Sequence, residues 1–246
     1  MTAIQTKGLT KKYKEKTAVH ALDLSVEEGE LFSLLGVNGA GKTTTIRMLT
    51  CLSKPTEGEA YICGSNVVTQ SAAVKELVGI SPQDTSVAEN LTVRENLELA
   101  ARIYGFSKDK TINRVREMTS LFRLEEVLDS RTKTLSGGWK RKVSIALALI
   151  SEPKVLFLDE PTLGLDVLAR RELWSAIESL KGKITIVLTT HYMEEAEHLS
   201  DRIAIMVEGK LCAIGTMEEL ENLSGEKGLE NTFVKIAGQV MGGARI

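Results

Sequence analysis

Gly36-Val37-Asn38-Gly39-Ala40-Gly41-Lys42-Thr43 fits the pattern G-x-x-x-x-G-K-[ST], and no other segment restricts the possible folds of these 246 residues as far. Its glycines let the backbone curl until successive N–H groups point at phosphate oxygens. A helix that opens at Lys42 turns its positive end on the same place. The pattern has this meaning only between a buried strand and a helix, and both are legible. Leu31-Phe32-Ser33-Leu34-Leu35 is a nearly continuous apolar run, suited to a strand buried on both faces. A helix is predicted from about Lys42 to Leu49. Lys42 is then placed for the β- and γ-phosphates of a nucleotide and the Thr43 hydroxyl for magnesium. A chance glycine turn is the competing reading, and the flanking elements argue against it.

The rest of the chain alternates strand and helix, which predicts an α/β core with a mainly parallel sheet. Ala21 to Leu35 reads as two short strands around the turn Glu27-Glu28-Gly29-Glu30. Strand-like runs recur at Ala60–Cys63, Val78–Ser81, Val155–Leu158, Ile184–Thr189 and Ile203–Val207. The stretch from about 88 to 150 is helical and interrupts this alternation as a candidate second lobe. Thr92 and Glu95 form a capping box, after which Val93, Leu97, Ala100 and Tyr104 define one apolar face, with Gly105 as the stop. A second helix spans roughly Lys108 to Phe122. Val143 to Ile150 is apolar nearly all round and is expected to be deeply buried. Asp166 can cap a helix whose Leu173, Ile177 and Leu180 share a face and which stops at Gly182. The tail, Gly238 to Ile246, is glycine-rich and reads as mobile.

Two further segments carry chemistry. Val155-Leu156-Phe157-Leu158-Asp159-Glu160 delivers adjacent carboxylates to the C-terminal end of a strand, where ligands sit in open α/β sheets. Asp159 suits the magnesium shell, and Glu160, pointing the other way, suits a general base that polarises water. A plain helix cap or a lysine partner is the bland alternative. In Leu135-Ser136-Gly137-Gly138-Trp139, Ser136 is a good N-cap and two glycines leave the helix end bare for a phosphate. Lys140, Arg141 and Lys142 follow in the first turns, where cations oppose the helix dipole; a docked anion would relieve that conflict.

With these residues in place, the sequence resembles the ATP-binding subunit of ABC transporters, from about Ile4 to Gly238. Leu135–Trp139 looks like the family's signature, usually LSGGQ; the departure is Trp139 for glutamine, with modest consequences expected because phosphate contacts come from the serine and glycines. The resemblance implies that Tyr13 stacks on adenine and that Gln83, in Ser81-Pro82-Gln83-Asp84, reaches magnesium. It also implies that Leu165-Asp166 is the D-loop and that His191 contacts the γ-phosphate. Glu160, His191 and Lys42 would be catalytic. Gly36 to Thr44 (Gly36, Val37, Asn38, Gly39, Ala40, Gly41, Lys42, Thr43, Thr44), with Tyr13, Gln83, Ser136, Gly137 and Gly138, would bind ATP. Thr43, Gln83 and Asp159 would hold Mg2+. The implied fold is a P-loop NTPase core with a mainly parallel sheet, an antiparallel β subdomain and an inserted α-helical subdomain. Residues 1–238 would be a single nucleotide-binding domain, with a RecA-like core over about 1–87 and 151–220 and the helical subdomain over about 88–150. Residues 221–246 would form a short C-terminal helix and tail, which Leu229–Phe233 resembles. Two such subunits would meet head to tail around two ATP and drive a separate transmembrane permease. The motifs look most like those of exporters of drugs, sodium, polysaccharides or haem. A soluble non-transport relative, such as an accessory ATPase of iron–sulfur assembly, is the alternative.

Composition agrees with this placement. A net charge of −2 gives no global basic field, so no nucleic-acid partner is expected. Lys7, Lys11, Lys12, Lys14 and Lys16 read as a solvated hairpin face. The three cysteines, Cys51, Cys63 and Cys212, have no CxxC spacing and read as ordinary buried thiols of a reducing compartment, with Cys51 packed under the Lys42 helix. Met1 to Lys16 lacks the apolar core of a signal peptide. No apolar run approaches the roughly 20 residues of a membrane span. The expected location is cytoplasmic, peripheral on the inner face of the cell membrane, with membrane contact only through the permease.

Overall fold

The computed structural model describes residues 1–242. The chain opens with two long antiparallel strands, β1 (Thr2–Tyr13) and β2 (Lys16–Glu27), joined at Lys14 and Glu15. Residues 16–20 therefore belong to a strand that sequence reading begins only at Ala21. The lysines decorate this hairpin as expected: Lys12 pairs with Glu57 at 2.6 Å, and Lys11 donates to the Lys54 carbonyl. Next come β3 (Leu31–Leu35), α1 (Lys42–Leu49), β4 (Glu57–Ile62), β5 (Ser65–Asn66), α2 (Ser71–Leu77) and β6 (Val78–Ser81). The first sheet has the order β2-β1-β4-β5 and is antiparallel throughout.

Three helices follow, α3 (Val93–Ile103), α4 (Lys108–Phe122) and α5 (Gly137–Leu149). The alternation then returns with β7 (Val155–Asp159), α6 (Val167–Glu178), β8 (Thr185–Thr190), α7 (Met193–Leu199), β9 (Arg202–Val207) and β10 (Lys210–Gly215). The chain ends on α8 (Met217–Ser224) and α9 (Leu229–Gly242). The second sheet has the order β10-β9-β3-β8-β7-β6, parallel except for β10.

The strand period of two distributes the apolar side chains to opposite layers. Phe32 and Leu34 of β3, Phe157 of β7 and Val187 of β8 pack with Ile46, Met48 and Leu49 of α1 and with the first sheet. Their neighbours Leu31, Leu156, Leu158, Ile186 and Leu188 pack on α3 to α6. A third cluster joins Leu35 and β9 to Ala196, Leu220 and Phe233 of the last three helices. Each fully buried Leu, Ile or Phe is worth about 1.5–3 kcal/mol relative to exposure. The central strands are thus held from both sides, and their C-terminal ends present a rigid rim.

Several sequence expectations shift. The Thr92–Glu95 capping box is present, but the buried face of α3 is Val93, Leu97 and Ala101, and Tyr104 is 50% exposed. Asn96 is the reason: it is buried, receives the Ala88 N–H and donates to the Ala88 and Thr92 carbonyls, so the helix turns a polar residue inward. Helix α6 ends at Glu178, before Gly182, because Leu180 to Lys183 form a turn. Gly238 lies inside α9, which continues to Gly242; residues 243–246 of the expected mobile tail lie outside the described residues. Cys51, half-buried just past α1, donates its thiol to the Val67 carbonyl. The short elements α2, α7, α8 and β10 have no counterpart in the sequence reading. No helix among the described residues is long and apolar enough to cross a membrane.

Candidate nucleotide site

The loop from β3 to α1 is shaped by its glycines. A Cβ on Gly36 would sit 2.4 Å from the Met206 carbonyl oxygen. Gly41 has φ 100, and a Cβ there would meet the Ala18 oxygen at 2.6 Å. Gly41 is also the N-cap of α1; it makes no side-chain cap and the first turn holds no acid, so the helix opens with uncapped N–H groups. Gly209 donates to the Ala40 carbonyl at 3.1 Å and clamps the loop from the β9–β10 turn.

Strand β7 brings the two carboxylates to this loop. Asp159 Oδ1 accepts the hydroxyls of Thr43 (3.1 Å) and Thr189 (2.5 Å). Glu160 follows with φ 49, its N–H donating to the Thr189 carbonyl at 3.1 Å. That left-handed turn swings its side chain back over the loop. Glu160 Oε1 lies 3.1 Å from Lys42 Nζ, and Oε2 lies 2.7 Å from His191 Nδ1. The Lys42 ammonium also donates to the Gly36 carbonyl at 2.6 Å. His191 stacks on Tyr192 with ring centroids 4.2 Å apart, and Arg170 covers Tyr192 at 4.8 Å.

A cavity of ≈ 550 Å³ opens over this cluster. Of the residues named from sequence, its walls hold Tyr13, Asn38, Gly39, Ala40, Gly41, Lys42, Thr43, Thr44, Gln83, Glu160 and His191. Gly36 and Asp159 are buried behind the walls, and Val37, 51% exposed, lies outside them. Lys16, Ala18 and Leu163 also line the cavity and were not read from sequence. Lys16 and Ala18 come from β2, whose placement over the loop depends on a long-range sheet contact that carries no local motif. The Gln83 loop is anchored by Arg141, which donates to the Pro82 and Gln83 carbonyls at 2.6 and 2.5 Å. Burial pulls the Arg141 guanidinium below its ordinary pKa, opposed by the Asp159, Asp84 and Glu195 charges.

Ser136, Gly137 and Gly138 are not part of these walls. Ser136 is the N-cap of α5 in extended backbone, but its hydroxyl makes no cap bond, and no acid sits in the first turn. The glycines leave the end bare, and Ser136 holds the N-cap position without the capping bond expected of its hydroxyl. The cations that follow do not attend it: Arg141 holds the Gln83 loop, Lys142 pairs with Glu172 at 2.7 Å, and Lys140 stands 3.6 Å from Glu89. Their conflict with the helix dipole is relieved by protein partners, so they give no separate argument for an anion. Trp139 packs on the α3–α6 core with Lys142 4.6 Å over its ring. Asp166 caps α6 through the Ala169 N–H at 3.0 Å.

Comparison with known proteins gives the same direction. A family model described as ABC transporter matches residues 19–163, and one described as AAA domain, putative AbiEii toxin, Type IV TA system matches 132–195. The chain is 43% identical over 239 residues to the human phospholipid-transporting ATPase ABCA3, covering 96% of this chain and 14% of that protein's length. It is 41% identical to the daunorubicin/doxorubicin resistance ATP-binding protein DrrA of Streptomyces peucetius, covering 91% of this chain and 68% of that one. It is 43% identical to the Nod factor export ATP-binding protein I of Paraburkholderia xenovorans, with 89% and 72% covered. A solved ATP-binding subunit of an ABC transporter superposes with TM-score 0.86 at 32% identity over 95% of this chain and 99% of that one. The dimeric post-hydrolysis cassette MJ0796, bound to ADP and Pi, superposes with TM-score 0.79 at 28% identity over 87% and 98%.

Proposed function

The chain belongs to the ABC transporter ATP-binding family, and we propose that it hydrolyses ATP between two copies of such a domain to drive a separate transmembrane permease, as an exporter subunit at the cytoplasmic face of the membrane. The family ATPase activity sets the reaction. The observation that carries the reading is the convergence of Lys42 and His191 on the Glu160 carboxylate, at 3.1 and 2.7 Å, at the mouth of a loop that only glycines permit. The names of a Nod factor export ATP-binding protein and a drug resistance ATP-binding protein among the relatives support the direction of transport. We read residues 1–87 and 151–220 as the core, 88–150 as the helical subdomain and 221–246 as the C-terminal part.

The site fits a triphosphate with magnesium. Uncapped N–H groups at α1 and the Lys42 ammonium suit phosphate oxygens. Thr43 and Asp159, whose oxygens lie 3.1 Å apart, are hard oxygen donors of the kind Mg2+ takes, with Gln83 at the cavity wall. When bound, the ion supplies charge neutralisation on the phosphates. Tyr13, 45% exposed, offers a face to the adenine. Phosphate oxygens compete with Glu160 for Lys42, and a carboxylate released from that pair can accept the proton of the attacking water. His191 then keeps the Glu160 side chain oriented through Oε2. The bond from the γ-phosphorus to the bridging oxygen breaks as water's oxygen attacks, leaving ADP and phosphate.

The test is Mg-ATP hydrolysis by the wild type and by Glu160→Gln. The variant is expected to bind ATP at least as tightly as the wild type, since the carboxylate that competes for Lys42 is neutralised, and to lose about 10²–10⁴-fold in kcat. A wild-type rate in Glu160→Gln would remove Glu160 from the reaction.

A further inference from the structure

Glu195 takes no part in the chemistry above, yet it is among the most deeply buried acids of the chain, at 0% exposure. It stands on α7, four residues after His191. Its Oε1 accepts two hydrogen bonds, from Thr162 Oγ1 at 2.8 Å and from Trp174 Nε1 at 3.1 Å. Thr162 is itself 0% exposed and lies two residues past Glu160, while Trp174 belongs to α6. Oε2 has no partner.

An isolated carboxyl in such a place is costly, since burial disfavours its charged form. Burial indeed pushes the Glu195 pKa up, with the Glu160 charge adding in the same sense and the hydrogen bonds opposing. An apolar side chain would fill the space without that cost. What it could not do is accept from donors on two other elements at once. One of those donors sits in the turn that carries Glu160, closed by Leu163 N–H to the Glu160 carbonyl (3.2 Å) and Leu165 N–H to the Thr162 carbonyl (3.1 Å). The helix that bears Glu195 begins immediately after His191 and Tyr192, and the Tyr192 N–H is tied to Thr190 Oγ1 at 3.0 Å. Glu195 thus links the two segments whose side chains meet at 2.7 Å in the Glu160–His191 contact.

We propose that Glu195 is a positioning residue for ATP hydrolysis: through Thr162 it fixes the turn after Glu160, through α7 it fixes His191, and it does so as a hydrogen-bond acceptor. This rests on the ATPase reading given above. The acceptor, rather than a charge, is what the site uses, so a carboxamide serves equally well.

Three variants test this: Glu195→Ala, Glu195→Gln and Thr162→Val, the last nearly isosteric and sparing Glu195 and its Trp174 bond. Glu195→Ala and Thr162→Val are expected to lose about 10- to 100-fold in kcat with KM for ATP within about twofold, as a displaced reacting group requires. Glu195→Gln is expected to keep wild-type kcat. Amide hydrogen exchange without nucleotide, read on residues 160–165, is expected to speed up in Glu195→Ala and Thr162→Val and to stay unchanged in Glu195→Gln. A folded Thr162→Val with wild-type kcat and unchanged exchange overturns the proposal, as does a Glu195→Gln that fails like Glu195→Ala. If the wild type hydrolyses no ATP, the ATPase reading falls by itself. The exchange data then still decide whether Glu195 anchors the turn: faster exchange in both Glu195→Ala and Thr162→Val supports it, and unchanged exchange in either overturns it.

Discussion

Lys42 and Glu160 are 6% and 7% exposed in their side chains and form an ion pair at 3.1 Å. Two charges taken out of water depend on each other, and removing one strands the other at a cost of about 3–5 kcal/mol in a fully buried pair. The His191 contact offsets part of that loss on the Glu160 side. Lys42→Ala is therefore expected to lose ATP affinity and also to lower stability by up to about 3 kcal/mol without nucleotide. The double variant Lys42→Ala/Glu160→Gln should recover much of the stability and none of the affinity, as read by urea unfolding and ATP titration. Equal stabilities for Lys42→Ala and the wild type would mean that the pair is not formed in solution. Lys42, Asp159 and Glu160 were legible in the sequence because each lies in a local pattern, a glycine loop before Lys42 and an apolar strand before Asp159 and Glu160, whereas His191 entered only through the family resemblance. Arg141 and Glu195 were not legible in their actual roles. Arg141 reads as a helix-end cation until its carbonyl partners 58 and 59 positions away are seen. Glu195 has no place in the sequence reading, because nothing local separates it from Glu194 until packing shows it buried.

Two helix starts separate capping from function. Asp166 caps α6 with a 3.0 Å bond to the Ala169 N–H, whereas Ser136 holds the N-cap position of α5 with a free hydroxyl. Losing a working cap costs about 1 kcal/mol. Asp166→Ala is expected to cost that much in unfolding, and Ser136→Ala less than about 0.5 kcal/mol. If Ser136 serves a phosphate across an interface, its alanine variant should nonetheless lose most of its ATP hydrolysis. A Ser136→Ala protein with full activity at every protein concentration would show that the bare helix end has no such use. Elements of this kind were read from sequence in proportion to their local signals. Helices α1 and α4 have the predicted bounds because glycine or Ser107 marks the start and an apolar period runs through each. Helix α7 and helix α8 are short and acidic, too brief for a period to emerge. The face of α3 was misread by one position in its last turns, since Asn96 looks like a solvent residue until its three backbone partners are counted.

At the scale of the molecule, one chain divides the features proposed to bind phosphate between two places. Lys42 and its loop line the cavity, and Ser136, Gly137 and Gly138 lie outside it. Beside that second place, α6 begins with Val167 and Leu168 exposed at 62% and 75%, and a Cβ on Gly138 would lie 3.4 Å from the Ala169 side chain. Helix ends without caps beside exposed aliphatic residues are poor solvent surface, and a facing copy whose bound triphosphate meets the α5 end would satisfy both. In such a pair, closure would depend on ATP and would be lost when hydrolysis removes the shared phosphate. Glu160→Gln should therefore double its mass in light scattering when Mg-ATP is added and stay monomeric with Mg-ADP. Leu168→Asp in that background should restore the monomer. Because Leu168 is exposed, the change should alter unfolding by no more than about 0.5 kcal/mol, so loss of the dimer could not be blamed on misfolding. A Glu160→Gln protein that remains monomeric with saturating Mg-ATP at concentrations far above its nucleotide Kd would break the link between the two places.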